Sequence, residues 1–366
     1  MEEVKDIIER WADVSRRENA VSIKIDVTYD PSTPPSLLAQ LANDEDERVR
    51  HGVADNPHTP PETLARLAKD KSEHVRWRIG RNTSTHTEIL AQLAEDSSRS
   101  VREYVAANPN TLSEVLEELA SDEDKDVRRG VAKNPHTPPN TLVGLALDEK
   151  EIVREAVALN LNTPPKILMH LANDKSYWVR SSVARNPHTP PDVLSMLAND
   201  KDEYVRHSVA ANESTPPNIF ARLALDEDEG VRRGVAANKA TPPDVLAQLA
   251  HLTSEENLSV HWYVALNPST PPDILTRLAK HKDWLVRDAV AWNENTPPDR
   301  LAELAQDKDK SVRLEVARNR STPPNILAVL ASDKDDEVRE EATRNNNRAS
   351  DFVALANAQP NGMEIG

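Results

Sequence analysis

A threonine returns at a fixed interval through most of this chain. It stands at Thr33, Thr59, Thr85, Thr111, Thr137, Thr163, Thr189, Thr215, Thr241, Thr270, Thr296 and Thr322. Each step is 26 residues except the 29 from Thr241 to Thr270. The surrounding residues repeat with it, so these are twelve copies of one unit. A unit of that length cannot bury a core alone, and stacking on its neighbours is the way such a unit is stabilised. Read as an ordinary globular chain, 366 residues would suggest two or three domains; the repeats predict one elongated all-α body instead.

The unit beginning at Thr189 shows the design. Thr189 reads as a helix N-cap, and Pro190 as the first helical residue, where its missing N–H costs nothing. Val193, Leu194, Leu197 and Ala198 then form one apolar stripe at helical spacing. After Asn199 and Asp200 a second, shorter helix is expected, with Val205, Val209 and Ala210 inward and Asn212 closing it. Five columns never vary over the twelve copies: the Thr, the Leu and Ala of Leu197 and Ala198, the Val of Val205 and the Asn of Asn212. The Asn suits a helix end, where it tolerates a left-handed backbone and bonds the turn. Nearly all of the 27 prolines fall in Thr-Pro-Pro starts or Asn-Pro turns, so they punctuate helices and do not signal disorder.

Two charged columns run alongside. Asp44, Asp70, Asp96, Asp122, Asp148, Asp174, Asp200 and Asp226 each precede an arginine by six residues, from Arg50 to Arg232. The Val-Arg step and this spacing resemble HEAT repeats, in which such residues pair from one repeat to the next. The string Asn-Pro-x-Thr-Pro-Pro, followed by Leu-x-x-Leu-Ala, resembles the leucine-rich repeat variant family more closely, over residues 33–345. The resemblance implies a right-handed α-solenoid of about twelve two-helix repeats, with the second helix short, α or 3-10. The founding type of that family carries a cysteine-ligated iron–sulfur cluster. This chain has no cysteine, so no cluster ligand, disulfide or cysteine nucleophile exists in it, and no cofactor is expected.

Outside the repeats, residues 1–17 read as an amphipathic capping helix through Val4, Ile7, Ile8 and Trp11. Val21, Ile23, Ile25, Val27 and Tyr29 alternate like a strand, as an extended cap, part of a small module or a dimer edge. Residues 1–32 thus form an N-terminal cap and extended segment, 33–347 the repeats, and 348–366 a degenerate C-terminal cap and frayed tail. A polar run from Asn345 to Arg348 should separate the last repeat from a partial helix at Phe352, Val353 and Leu355. The three additional residues near Leu252 to Leu258 should lengthen one inter-helix loop. Repeats at Thr85 and Thr111 lose both prolines, yet their helices should still form.

No catalytic constellation is evident, and the expectation is a non-enzymatic scaffold. A net charge of −16 argues against unspecific binding to nucleic acid or anionic membranes. No signal peptide and no membrane-spanning run is apparent, which makes a cytoplasmic monomer the expectation. The candidate partner surface is the second helix. Its variable columns hold Trp77, Tyr104, Trp178, Tyr204, Trp262, Tyr263 and Trp292, with Trp284 at a helix start and Arg129 and Arg233 among them. Large aromatics away from packing columns are characteristic of interface anchors. Trp178 and Tyr204 share one column in consecutive repeats and should neighbour one another. The HEAT resemblance implies that this face is concave and binds a protein or peptide. A nucleic-acid-binding alternative rests on alkylpurine DNA glycosylases built from HEAT-like repeats, whose catalytic residues have no counterpart here. Finally, the ladder breaks where His261 replaces an Arg and His281 an Asp, with His251 nearby. Two imidazoles facing one another form a weak candidate for a metal or pH-sensitive site.

Overall fold

Where a residue is followed by proline, its own helical conformation is disfavoured, and this suits the start of the first helices that carry a Pro-Pro pair. In the computed structural model, which describes residues 20–252 and 257–357, with side chains over 21–251 and 257–346, the first proline of each Thr-Pro-Pro is the N-cap. Pro60, for example, has φ −58° and ψ 144° with Pro61 at the first helical position. The threonine therefore is not the cap expected from its position. Its hydroxyl turns back instead and donates to a last-turn carbonyl of the preceding second helix, as from Thr59 to Val53 at 2.6 Å. Where the prolines are missing, His86 and Leu112 become N-caps and the helices form as expected.

The asparagine column also works differently from the expectation. Asn82 has an extended backbone, φ −67° and ψ 118°, and no non-glycine residue among those described has positive φ. Its side chain, not its backbone, does the bonding. Nδ2 donates to the carbonyls of Ala54 at 2.8 Å and Asn56 at 3.1 Å in the previous repeat, while Oδ1 accepts from the Ser84 amide at 2.8 Å. Carbonyls at a helix C-terminus have no intrahelical donor, so each buried amide satisfies the end of its neighbour.

Among the described residues there are twenty-five helices and no strand. A standard first helix has seven residues, as Pro61–Leu67, and a second helix nine, as Glu73–Arg81. The second is α-helical, one of the two forms expected, but it is the longer of the pair and not the shorter. An Asp cap bonds the first turn in several copies, as Asp46 accepts from the Arg48 amide, but the helix has nine residues also where Ser72 makes no such bond.

The chain divides into two units, residues 1–188 and 189–366. Each holds six of the repeats and is a helical solenoid in itself. Leu64, Val75 and Ile79 in the first unit, and Leu194, Val205 and Val209 in the second, are wholly buried. Truncating such a leucine to alanine typically costs about 2–5 kcal/mol. Within each unit successive second helices pack directly on one another, whereas first helices pack mainly on their own second helix. Closer spacing on one side bends a stack toward that side.

The segment expected to be extended is a helix, Ala20–Tyr29. It occupies the second-helix place of a further repeat, 26 residues ahead of Glu47–Asp55. Lys24 pairs with Asp44 at 2.7 Å as an arginine does elsewhere, and the Thr33 hydroxyl donates to Val27. Asn56 donates to the carbonyls of Thr28 and Asp30. A strand here would have no hydrogen-bonding partner, whereas a helix continues the stack. Gly52 makes room for it, since a Cβ there would stand 1.7 Å from the Thr28 hydroxyl. The helix expected over residues 1–17 and the tail at 359–366 lie outside the described residues.

Two further expectations are corrected. The insertion extends a helix, Pro243–Leu252, by three residues before the chain leaves the described region. At the other end, Asp336–Asn357 is one continuous helix with no break at the polar run, because no Thr or Pro follows Asn345 to turn the backbone. Asn345 still donates to Ala317 and Asn319 in the usual way.

Candidate functional site

The arginine column lies between repeats and is structural. Arg154 places Nε and Nη2 on the two carboxylate oxygens of Asp174, at 2.6 and 3.0 Å, a bidentate geometry. Its Nη1 donates to the carbonyls of Asp148 and Glu149. The pattern recurs at Arg50–Asp70, Arg76–Asp96, Arg102–Asp122 and Arg128–Asp148 in the first unit. In the second it recurs at Arg206–Asp226, Arg287–Asp307 and Arg313–Asp333. Burial pushes the Asp174 carboxyl upward, but the bonds from Arg154 and the Ser176 amide outweigh it and hold the group below its ordinary value.

With the ladder engaged in packing, the variable columns of the second helices remain as the candidate surface. In the first unit Trp77 stacks on Tyr104 at 4.7 Å between ring centres and 22° between planes. The Arg78 guanidinium lies over Trp77 at 4.6 Å and that of Arg81 at 5.6 Å. Asp55 holds both arginines, at 3.0 and 2.6 Å. Three consecutive second helices thus build one aromatic and arginine cluster, in which Trp77 and Tyr104 are half-buried. Arg129 is tied to Glu103 at 3.3 Å and to Asp126 at 3.2 Å. Trp178 leans on Tyr177 at 4.6 Å and keeps 47% of its surface exposed.

In the second unit Tyr204 is 60% exposed and Trp292 54% exposed. Trp284 is exposed at its helix start. Trp262 and Tyr263 pack edge to face at 4.7 Å and are half-buried. Arg233 is exposed and lines an open cleft of about 390 Å³ with His207, Glu213, Gly234, Lys239 and Tyr263. Glu213 and Lys239 were not singled out from the sequence. Both directly follow the invariant Asn, where Pro stands in several repeats, and that substitution is the signal that marks them. On the same face the Asp288 carboxyl is pushed up to about 6 by burial and by the charges of Glu315 and Asp309, against the opposing Arg318.

At the break in the ladder, His261 and His281 meet as expected, with ring centres 5.3 Å apart and planes at 65°. Both are buried. His281 Nδ1 accepts from the Asp283 amide at 3.1 Å, and its Nε2 is buried without a hydrogen-bond partner. His251 is exposed and accepts from the Arg277 guanidinium at 2.7 Å. The three histidines do not make the weak metal site considered from the sequence. Among the described residues no group of three or more His, Cys, Asp or Glu could hold a metal ion. Nor is any described helix long and apolar enough to cross a membrane.

Comparison with known proteins agrees with the repeat read from the sequence. The leucine rich repeat variant family model matches residues 47–72 and 177–202. Among solved structures, a leucine-rich repeat variant described as having a novel repetitive structural motif is 26% identical. The match covers 60% of this chain and 87% of that one, with a TM-score of 0.45. An engineered protein matches over 86% of this chain and 98% of its own, at 16% identity and a TM-score of 0.32. Importin beta matches over 86% of this chain and 45% of its own, at 12% identity and a TM-score of 0.29. No curated protein matches the chain.

Proposed function

We propose that the protein is a non-enzymatic scaffold that binds a protein or peptide along the face of its second helices, the concave side of each unit. The observation that carries this reading is the exposure of Trp178, Tyr204 and Trp292 in columns that the repeat leaves free. The same column as Trp178 holds Ser100 and Gly230 elsewhere, so no packing rule demands a large ring. Such rings supply wide contact area at low entropic cost and dominate interface energies. The preordered helical frame also spares a partner much of the ordering cost of binding.

The charge pattern supports a protein or peptide partner over nucleic acid. Arg78 and Arg81 share the charge of Asp55, Arg129 is paired with Glu103 and Asp126, and Arg318 with Glu315. A nucleic-acid surface needs unneutralised cations to displace counterions from phosphates. The test is substitution of exposed anchors, Trp178→Ala with Tyr204→Ala, against substitution of exposed residues of a first helix and of the turn after one, Met196→Ala with Leu225→Ala. Loss of retained partner proteins is expected only for the first pair.

A further inference from the structure

Arg129 and Arg233 occupy the same column of the repeat but have opposite surroundings. Arg129 is held by Glu103, 26 residues before it, and by Asp126, three residues before it. The residues at those two places before Arg233 are His207 and Gly230. Neither carries a negative charge, and they satisfy one another. His207 Nδ1 lies 2.8 Å from the Gly230 carbonyl, and a carbonyl only accepts, so Nδ1 carries the proton. Among the described residues Arg233 has no ion pair, and neither does Lys239 across the cleft.

The cleft floor is kept low by Gly234. A Cβ there would stand 3.0 Å from the Ala210 methyl and 3.1 Å from His207 Nδ1. Tyr263 forms one wall, at a position where other repeats carry Gly52, Gly130 or Ala156. The result is a cleft of about 390 Å³ with two free cations and an aromatic wall, at the small end of ligand-sized sites. We infer that this cleft binds a carboxylate carried by a peptide segment, with Arg233 as its fork and Lys239 as a second charge. An arginine fork matches a carboxylate bidentately, as the ladder of this same chain does with Asp174. Glu213 on the rim disfavours a more highly charged anion such as phosphate. The carboxylate comes from an acidic side chain or from a chain terminus, and the probes below separate the two.

The inference rests on the second-helix face being a binding face, but its test is independent of any natural partner. The full chain, labelled with ¹⁵N-arginine, is titrated with four probes while the Arg233 side-chain resonance is followed. The probes are acetyl-Ala-Glu-Ala-amide, its Gln counterpart, acetyl-Ala-Ala-Ala with a free carboxylate, and inorganic phosphate. A saturable shift with at least one carboxylate peptide, and none with the Gln peptide, is the expected result. The tighter of the two carboxylate peptides identifies the source. Measured by isothermal titration calorimetry, since Arg233→Gln removes the followed resonance, Arg233→Gln and Lys239→Gln should each weaken binding about tenfold without lowering the melting temperature, and Glu213→Gln should tighten it. Equal binding of the Gln peptide, tighter binding of phosphate, or no saturable shift with either carboxylate would overturn the assignment. Should Arg233→Gln fail to fold, Lys239→Gln, on an exposed turn, still decides the matter. Failure here removes the carboxylate site only, whereas the proposed scaffold function fails separately if the anchor substitutions leave partner retention intact.

Discussion

At the scale of single residues, a paired ladder arginine such as Arg154 closes four bonds at once, two of them to a carboxylate that is itself almost buried. Arg154→Ala would strand the Asp174 carboxylate and two carbonyls, and breaking one side of such a buried pair costs about 3 kcal/mol. Chemical denaturation should report that loss, with partner retention unchanged. The lowered Asp174 group contributes stability that is present above its unfolded value and is lost as pH falls through the lower folded one. Asp288 has the opposite sign. Its folded value of about 6 lies above the unfolded one, so the folded state is disfavoured as pH rises from about 4 to 6. Asp288→Asn should therefore raise the melting temperature at pH 7.5, with the gain shrinking towards zero near pH 4; an equal gain at both would contradict the assignment. The invariance of Thr59 and Asn82 was legible as a packing demand, but their bonds were not. Both donate to carbonyls of an earlier helix, and that partner depends on how the helices lie, which no local pattern of residues displays.

At the scale of the element, the repeat period proved stronger than the local pattern. Val21 to Tyr29 alternates as a strand does, yet the segment is helical because Lys24, Val27 and Thr28 fall where the stack needs an ion-pair partner and carbonyls. The sequence signal was present as a faint further copy of the unit, 26 residues before Glu47–Asp55, and the alternation hid it. The histidine break was legible from column counting alone, and His261 and His281 indeed meet. The double change His261→Arg with His281→Asp should restore the missing rung. Each single change buries an unmatched charge, so the double variant should be more stable than the sum of the singles by about 0.5–3 kcal/mol of coupling. Denaturation of the four proteins in a mutant cycle measures it. Zero coupling would mean that the two positions are not read as one rung.

At the scale of the whole molecule, the division into two units was not apparent in the sequence, since the columns run without a break through Thr189. The repeated body itself was legible because twelve copies overrule any single ambiguous residue. The candidate surface was legible in part. Trp178, Tyr204 and Trp292 are exposed, while Trp77, Tyr104, Trp262 and Tyr263 are half-buried against one another. The two groups in fact fall in different columns: the exposed rings stand one residue before or six after the invariant Val of their helix, and the half-buried ones two or three after it. That signal was present, but which columns face a neighbouring helix is set by how the helices pack. The account's central claim is that the exposed second-helix aromatics hold a partner and do not hold the fold. Its most direct test carries Trp178→Ala and Tyr204→Ala together, one anchor from each unit, and measures melting temperature beside the proteins retained from the native host. The account predicts a melting temperature unchanged within about 3 °C, as for surface substitutions, with the retained proteins lost. Early melting, or an intact fold that keeps every partner, would contradict it.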